Sequence, residues 1–205
     1  MDINKTEYLV ADDCYIKKHS LKDKICLMST TLPDMLHLDK LKLSEYFTLN
    51  NCPMFTITKD GQVYQHYDID YYSKITGDNQ LNKSIISIAF ENLGWLSYSE
   101  QLNIFLNWSN FSVDKVNVHD QLYKDYRYWD KITLTQMTSV TELCIYLCDN
   151  QLIKKDIVTH LFKYDDGDIN NYKGIFSINN ILDKNTDINT SFNFKSFYKN
   201  LINKQ

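Results

Sequence analysis

Histidine, cysteine and clustered aspartate are the residues of this chain whose types could bind a metal or move a proton, and their spacing sorts them. His19, His66 and His119 have no partner at ligand spacing, and His37 falls within a helical pattern whose surface accounts for it. Cys144 and Cys148 stand four residues apart, a spacing that could hold a metal on one helix face, but they coincide with an apolar stripe and read as packing. The five cysteines are odd in number and contain no CxxC pair, so reduced, partly buried thiols are expected, neither a disulfide scaffold nor a thiolate zinc knuckle. Asp165-Asp166-Gly167-Asp168 is like a calcium loop in composition alone, because the other ligand positions, including the terminal glutamate, are missing; it reads as a solvated turn. His160, at the end of a short apolar segment, and Asp187, in a polar loop, remain. Taken singly, the first is a hydrogen-bonded strand-end histidine and the second a loop carboxylate or helix N-cap.

The elements that would position these residues follow from periodicity. Met54 to Leu96 organises the rest: Met54 to Ile57 is a short apolar, β-branched run, Lys59-Asp60-Gly61-Gln62 supplies turn chemistry, and Val63 to Tyr67 returns with alternation, a hairpin signal. Ile85 to Phe90 is a nearly continuous apolar run, as a central strand buried on both faces requires. Ile25 to Thr30 predicts a strand, and Pro33 to Phe47 a helix with proline in its first turn. Ser97 to Trp108 shows a helical pattern, and 109–132 an aromatic-rich connection. The strongest helix carries Met137, Val140, Leu143, Cys144, Leu147 and Cys148 at three- and four-residue intervals, with Thr135 available as a cap. Ile153 to His160 reads as a strand, and the tail carries Phe192, Phe194, Phe197 and Tyr198. The fold class is α/β: a single domain with a central mixed sheet flanked by helices. Residues 24–205 are expected to form it, with 1–23 as an N-terminal extension or edge element in which Tyr8 to Val10 could make a short strand.

FTITKDGQVYQ followed by SIISIAFENLGWL resembles the middle of the N-acetylmuramoyl-L-alanine amidase and peptidoglycan-recognition-protein family. The order of elements agrees, and the resemblance extends over about 24–197. It implies a zinc ion held by a histidine ending the first strand, a histidine ending the strand after the long helix, and a cysteine or aspartate in the following loop, with an open position for the attacking water. The second ligand matches His160 in Ile157-Val158-Thr159-His160. The third matches Asp187 in Thr186 to Phe192, with Thr190 in place of the family's proline. The first has no match: Met28 or Ser29 stands there, and neither thioether nor hydroxyl replaces an imidazole on zinc. The family's catalytic tyrosine falls near Pro53 and its lysine at Asn185, neither of which can donate to an oxyanion.

The resemblance therefore implies a degenerate amidase-like domain with an incomplete zinc site, serving as a structural or peptidoglycan-binding module in a phage tail, baseplate or virion assembly. No cofactor is expected unless another ligand, such as His37, completes a zinc site; the alternative is then an active zinc amidase, an endolysin cleaving the lactyl amide of peptidoglycan. The clustered tyrosines, Tyr64, Tyr67, Tyr71, Tyr72, Tyr123, Tyr126 and Tyr128, with Trp129, read as core and protein interface in preference to sugar-stacking platforms. A net charge of −4 leaves no basic excess to attract nucleic acid or an anionic membrane, so the expected partners are peptidoglycan or other virion proteins. The N-terminus lacks a basic, then apolar leader, so cytoplasmic synthesis without a signal peptide and possible virion association are the expected localisation.

Overall fold

The computed structural model describes residues 1–7, 10–31, 46–113, 116–158, 169–182 and 187–203, with the backbone alone for 119–121. Its centre is β4, Ile85–Phe90, all six residues of which are buried. Four strands join it: β1 (Lys24–Ser29), β2 (Phe55–Ile57), β3 (Val63–Gln65) and β10 (Ile175–Ser177). Their order is β10-β1-β4-β2-β3. β10, β1, β4 and β2 run parallel, with Met28 opposite Ala89 and Cys26 opposite Phe176, while β3 returns antiparallel from the hairpin, which makes the sheet mixed.

Alternation along the strands divides the core. Ile25, Leu27, Ile86, Ile88 and Phe90 face the long helix α2, Leu134–Gln151, through Val140, Leu143, Cys144 and Leu147, and the C-terminal helix α3, Phe194–Asn203, through Phe197 and Leu201. Cys26, Met28, Ile85 and Ala89 face the other way, onto Leu81 of the short helix α1 (Asn79–Ser84) and onto Val158 and Ile178. A run apolar at every position is what a strand covered on both faces needs.

The start of α2 is fixed by Thr133, not by Thr135 as the sequence suggested. Thr133 Oγ1 accepts the Gln136 N–H at 3.0 Å, and Gln136 Oε1 accepts the Thr133 N–H at 3.0 Å, a reciprocal capping box. Thr133 and Thr135 donate their hydroxyls to the Lys59 carbonyl, tying this helix end to the hairpin turn. Gly61 in that turn has φ +88° and lies so close to α2 that a Cβ would come within 2.9 Å of Ser139 Oγ.

The region after β4 departs from the sequence reading. Ser97 to Trp108 is not helical and 109–132 is not a plain connection. Together they build a second, antiparallel sheet from β5 (Trp95–Ser99), β6 (Ile104–Leu106), β7 (Ser112–Val113), β8 (Val116–Tyr123) and β9 (Tyr126–Asp130), in the order β7-β6-β5-β9-β8. Aromatic pairs hold it: Trp95 stacks on Tyr126 at 4.3 Å between centroids, and Phe105 packs against both Tyr98 and Tyr128. The segment 153–160 also differs. Its described part makes only a parallel bridge, Ile157 to Ile175, and β10 is the parallel neighbour of β1. The hairpin's second strand stops at Gln65.

Described residues before β1 reach the β3 edge of the central sheet and the loop that follows it. Asn4 bridges to Tyr64, Ile16 bridges to Tyr72, and Tyr15 is sandwiched between the rings of Tyr67 and Tyr71. Lys22 closes the segment by donating its buried ammonium to the carbonyls of Tyr71 and Lys83. The helix expected over Pro33 to Phe47 lies outside the described residues but for its end, as do Tyr8 and Leu9 and the Asp165 to Asp168 turn. No helix among the described residues is long and apolar enough to cross a membrane.

Candidate functional site

Parallel strands that end together leave a crevice beyond their carboxyl ends, where ligands of open α/β sheets bind. Here β1 ends at Ser29, and a cavity of about 370 Å³ opens beside it, lined by Met28, Ser29, Thr30, Thr31, Ala89 and Asp187 and by Tyr46, Phe47, Asn51, Pro53 and Trp108. Met28 and Asp187, 159 residues apart, thus line one cavity, as does Pro53 at the position matched to the family's tyrosine. His160, His37 and Asn185 lie outside the described residues.

Asp187 reaches this cavity because its loop is sewn down residue by residue. The Asn179 side-chain amide donates to the Ile188 carbonyl at 2.7 Å and its Oδ1 accepts the Ile188 N–H at 3.3 Å. Asn189 donates to Asn92 Oδ1 and to the Asp130 carbonyl, and its own Oδ1 accepts both the N–H and the hydroxyl of Ser191. Asn92, Asn179 and Asn189 are all fully buried, so each bond is made without competition from water. Asp187 Oδ2 then accepts the backbone N–H of Ser29 at 3.1 Å. The Ser29 hydroxyl donates to the Asn92 carbonyl at 3.1 Å, which turns it away from nucleophilic use.

A second charged group sits deeper, between the two sheets. Asp130 is buried, and its Oδ2 accepts the Lys59 ammonium and the Leu93 N–H, both at 2.7 Å. Glu91, likewise buried, accepts the Lys59 N–H at 2.7 Å. Lys59 therefore joins the hairpin turn, the end of β4 and the second sheet.

None of the described donors beside Asp187 suits zinc. Its described neighbours in the lining are the Met28 thioether, packed in the apolar cluster with Cys26 and Ala89, and the Ser29 hydroxyl, already directed at a carbonyl. Cys26 is buried near Asp187, and burial first, then the carboxylate's charge, pushes its thiol well above the usual range, opposite to what thiolate ligation needs. Among the described residues no three His, Cys, Asp or Glu side chains gather into a metal-holding group.

The other candidates are accounted for by packing. Cys144 and Cys148 are buried in the stripe of α2, and His66 is buried with its Nε2 2.7 Å from Thr56 Oγ1. Tyr64, Tyr67, Tyr72 and Trp129, read from the sequence as core and interface, belong to the core: all four are buried. Sequence reasoning missed Asn92, Asn179 and Asn189, since a buried asparagine has no periodic signature. It also missed Trp108, whose exposure depends on the second sheet.

The family model for N-acetylmuramoyl-L-alanine amidases matches residues 29–173. No curated protein matches the chain in sequence. Among solved structures, the fold is similar to the N-acetylmuramoyl-L-alanine amidase LysC from Clostridium intestinale URNW, at 15% identity and TM-score 0.56, covering 98% of this chain and 97% of that one. It is similar also to the Staphylococcus aureus hydrolase AmiA, at 12% identity and TM-score 0.56 over 98% and 82% of the two chains. The catalytic domain of XlyA aligns at 10% identity and TM-score 0.53 over 98% and 99%. At these identities the likeness is one of fold.

Proposed function

Since the chain belongs to the N-acetylmuramoyl-L-alanine amidase family, we propose that it is an amidase-like domain with a degenerate metal site, working as a peptidoglycan-binding or structural module and not as a hydrolase. The observation that carries this reading is the described lining of the cavity at the end of β1: among the described residues an aspartate and a thioether stand there, where hydroxide generation needs three ligands and an open position. Pro53 and Ser29, near the places where the family mechanism needs a proton donor and a ligand, offer neither. We assign the domain to residues 24–205, with 1–23 as an edge element bridged to it through Asn4 and Ile16. The corresponding home is a phage tail, baseplate or other virion assembly, tested by finding the chain in purified particles by mass spectrometry.

The discriminating experiment measures zinc by elemental analysis and amide cleavage on purified peptidoglycan. Well under one zinc per chain and no released stem peptide are expected. Stoichiometric zinc that disappears in His160→Ala, together with cleavage, overturns the reading in favour of an active endolysin. Retention on insoluble peptidoglycan then separates a wall-binding module from one that is purely structural.

A further inference from the structure

We propose that Cys14 and Cys52 are a redox-closable pair, and that a disulfide between them staples the N-terminal segment to the loop before β2 when the chain meets an oxidising surrounding. The inference stands apart from the wall-binding reading and holds whatever the domain binds.

The first support is the way contacts bracket the two thiols. They are 38 positions apart, both are free, and both are buried in the same apolar cluster. Cys14 Sγ donates to the Phe47 carbonyl at 2.9 Å. The chain turns at once after Phe47, and the Cys52 N–H donates to the Thr48 carbonyl at 3.0 Å, which brings Cys52 back beside that contact. From the other side, Tyr15 stacks on Tyr67 with 4.9 Å between centroids, and the Tyr67 hydroxyl donates to the Cys52 carbonyl at 3.5 Å. Burial raises both thiols, and a charge on Cys14 raises Cys52 further, as close neighbours require. The other thiols are placed differently. Cys26 belongs to the cluster on the opposite face of the sheet. Cys144 and Cys148 lie one turn apart on α2, where Cβ atoms are ~5–6 Å from each other and a disulfide needs about 3.5–4.5 Å.

The second support is what the segment offers as a gate. It is held to the sheet edge by few backbone bonds: Asn4 with Val63 and Gln65, Ile16 with Tyr72, and Ser20 with Asp70. Segments with so few bonds open locally without global unfolding. While it is closed, the raised thiols keep their protons and do not react. When it lifts, Cys14 recovers an ordinary pKa near ~8.5, and its thiolate attacks one sulfur of a small-molecule disulfide. That S–S bond breaks, a mixed disulfide forms on Cys14, and the other half leaves as a thiolate. As the segment closes, Cys52 gives up its proton to solvent, its sulfur attacks the Cys14 sulfur, and the second half leaves as a thiol. Two electrons pass from the protein thiols to the small disulfide, with no other reactant. In a reducing compartment the pair stays open; outside it, the staple closes. The stapled loop supplies Phe47, Asn51 and Pro53 to the cavity at the end of β1, so the link also fixes part of that lining.

The test uses the full folded chain with oxidised glutathione as the probe, non-reducing peptide mapping and amide hydrogen exchange. One internal disulfide joining the Cys14 and Cys52 peptides is expected, with no glutathione retained. Exchange at the Ile16 and Ser20 amides should slow about tenfold or more, and recover on reduction, because the link removes the open state. Cys52→Ser should stop at the mixed disulfide on Cys14, whereas Cys144→Ala, which disturbs the same core but spares the pair, should still close it. Glutathione retained on native Cys14, a different pairing, closure only in urea, or no closure after the Ile16 amide has fully exchanged each overturns the proposal. So does a Cys14–Cys52 bond that leaves the exchange of Ile16 unchanged or faster.

Discussion

Ser29 gives its backbone N–H to Asp187 Oδ2 at 3.1 Å, across 158 positions of sequence. The amide at the end of β1 would otherwise point into a crevice, and the C-terminal loop brings a carboxylate to it. A hydrogen bond to a charged acceptor contributes about 1.5–3 kcal/mol, so Asp187→Ala should destabilise the fold by that order, and Asp187→Asn, which keeps an acceptor oxygen, by about 1 kcal/mol. Urea unfolding measures both. If Asp187 serves a metal instead, the two variants will alter zinc content in parallel and leave the apo-protein's midpoint where it was.

Lys59 and Asp130 form the buried joint between the sheets. The aspartate side chain is 4% exposed, and it keeps only the Leu93 N–H once the lysine is gone. Lys59→Met should therefore cost about 3 kcal/mol, as an uncompensated buried charge does. Asp130→Asn should cost less, because its carboxamide still accepts the Leu93 N–H and the lysine is one-third exposed. The double variant should lose less than the sum of the single ones, a coupling of about 1–3 kcal/mol in a double-mutant cycle. Additive losses would mean that the ion pair contributes nothing.

These two pairs also mark how far the sequence could be read. β4 was legible because six consecutive apolar or small residues admit few other uses, and α2 because its stripe recurs from Met137 to Cys148. Met28 and Asp187 were brought to one site by their match to a family pattern; nothing in their own spacing says that they meet. The second sheet was illegible for a physical reason. Its strands are two to eight residues long, with aromatics that pair across strands, so Leu102, Ile104, Phe105 and Leu106 imitate a helical stripe when read along the chain alone. Partner choice in such a sheet is set by cross-strand contacts such as Trp95 with Tyr126, which a local window does not contain.

Gly61 and Gly77 separate strain from crowding. Both have left-handed φ, +88° and +78°, but a Cβ at Gly61 meets Ser139 Oγ at 2.9 Å and Thr135 at 3.2 Å, whereas none of its neighbours lies within 4 Å at Gly77. Gly77→Ala should cost only the left-handed penalty, about 1 kcal/mol. Gly61→Ala should cost about 1–2 kcal/mol more, because Ser139 must give up the 2.6 Å bond it donates to the Gly61 carbonyl. Thermal unfolding of the two variants side by side checks the difference, and equal shifts would show that α2 can move away from the turn without loss.

Alkaline pH should destabilise the fold well before its tyrosines ionise. Burial is the leading cause that raises all five thiols, Cys14, Cys26, Cys52, Cys144 and Cys148, the last to about 11. In the unfolded chain thiols release their protons near pH ~8.5. Below that pH both states hold the proton and the stabilisation is complete; above it the unfolded state alone ionises, so stability falls by up to about 1.4 kcal/mol per pH unit for each thiol until its folded pKa is reached. Lys22 works in the opposite direction. Burial lowers it to about 8, so between there and the unfolded value, near 10.4, a rising pH relieves the cost of keeping its ammonium inside. Five groups outweigh one, and the urea midpoint measured in reductant should drop between pH 8 and 10. Cys144→Ala should flatten the drop, and Lys22→Met should steepen it by removing the one opposing group. A midpoint that holds or rises over that range would mean that the thiols are not sealed from water in the folded chain.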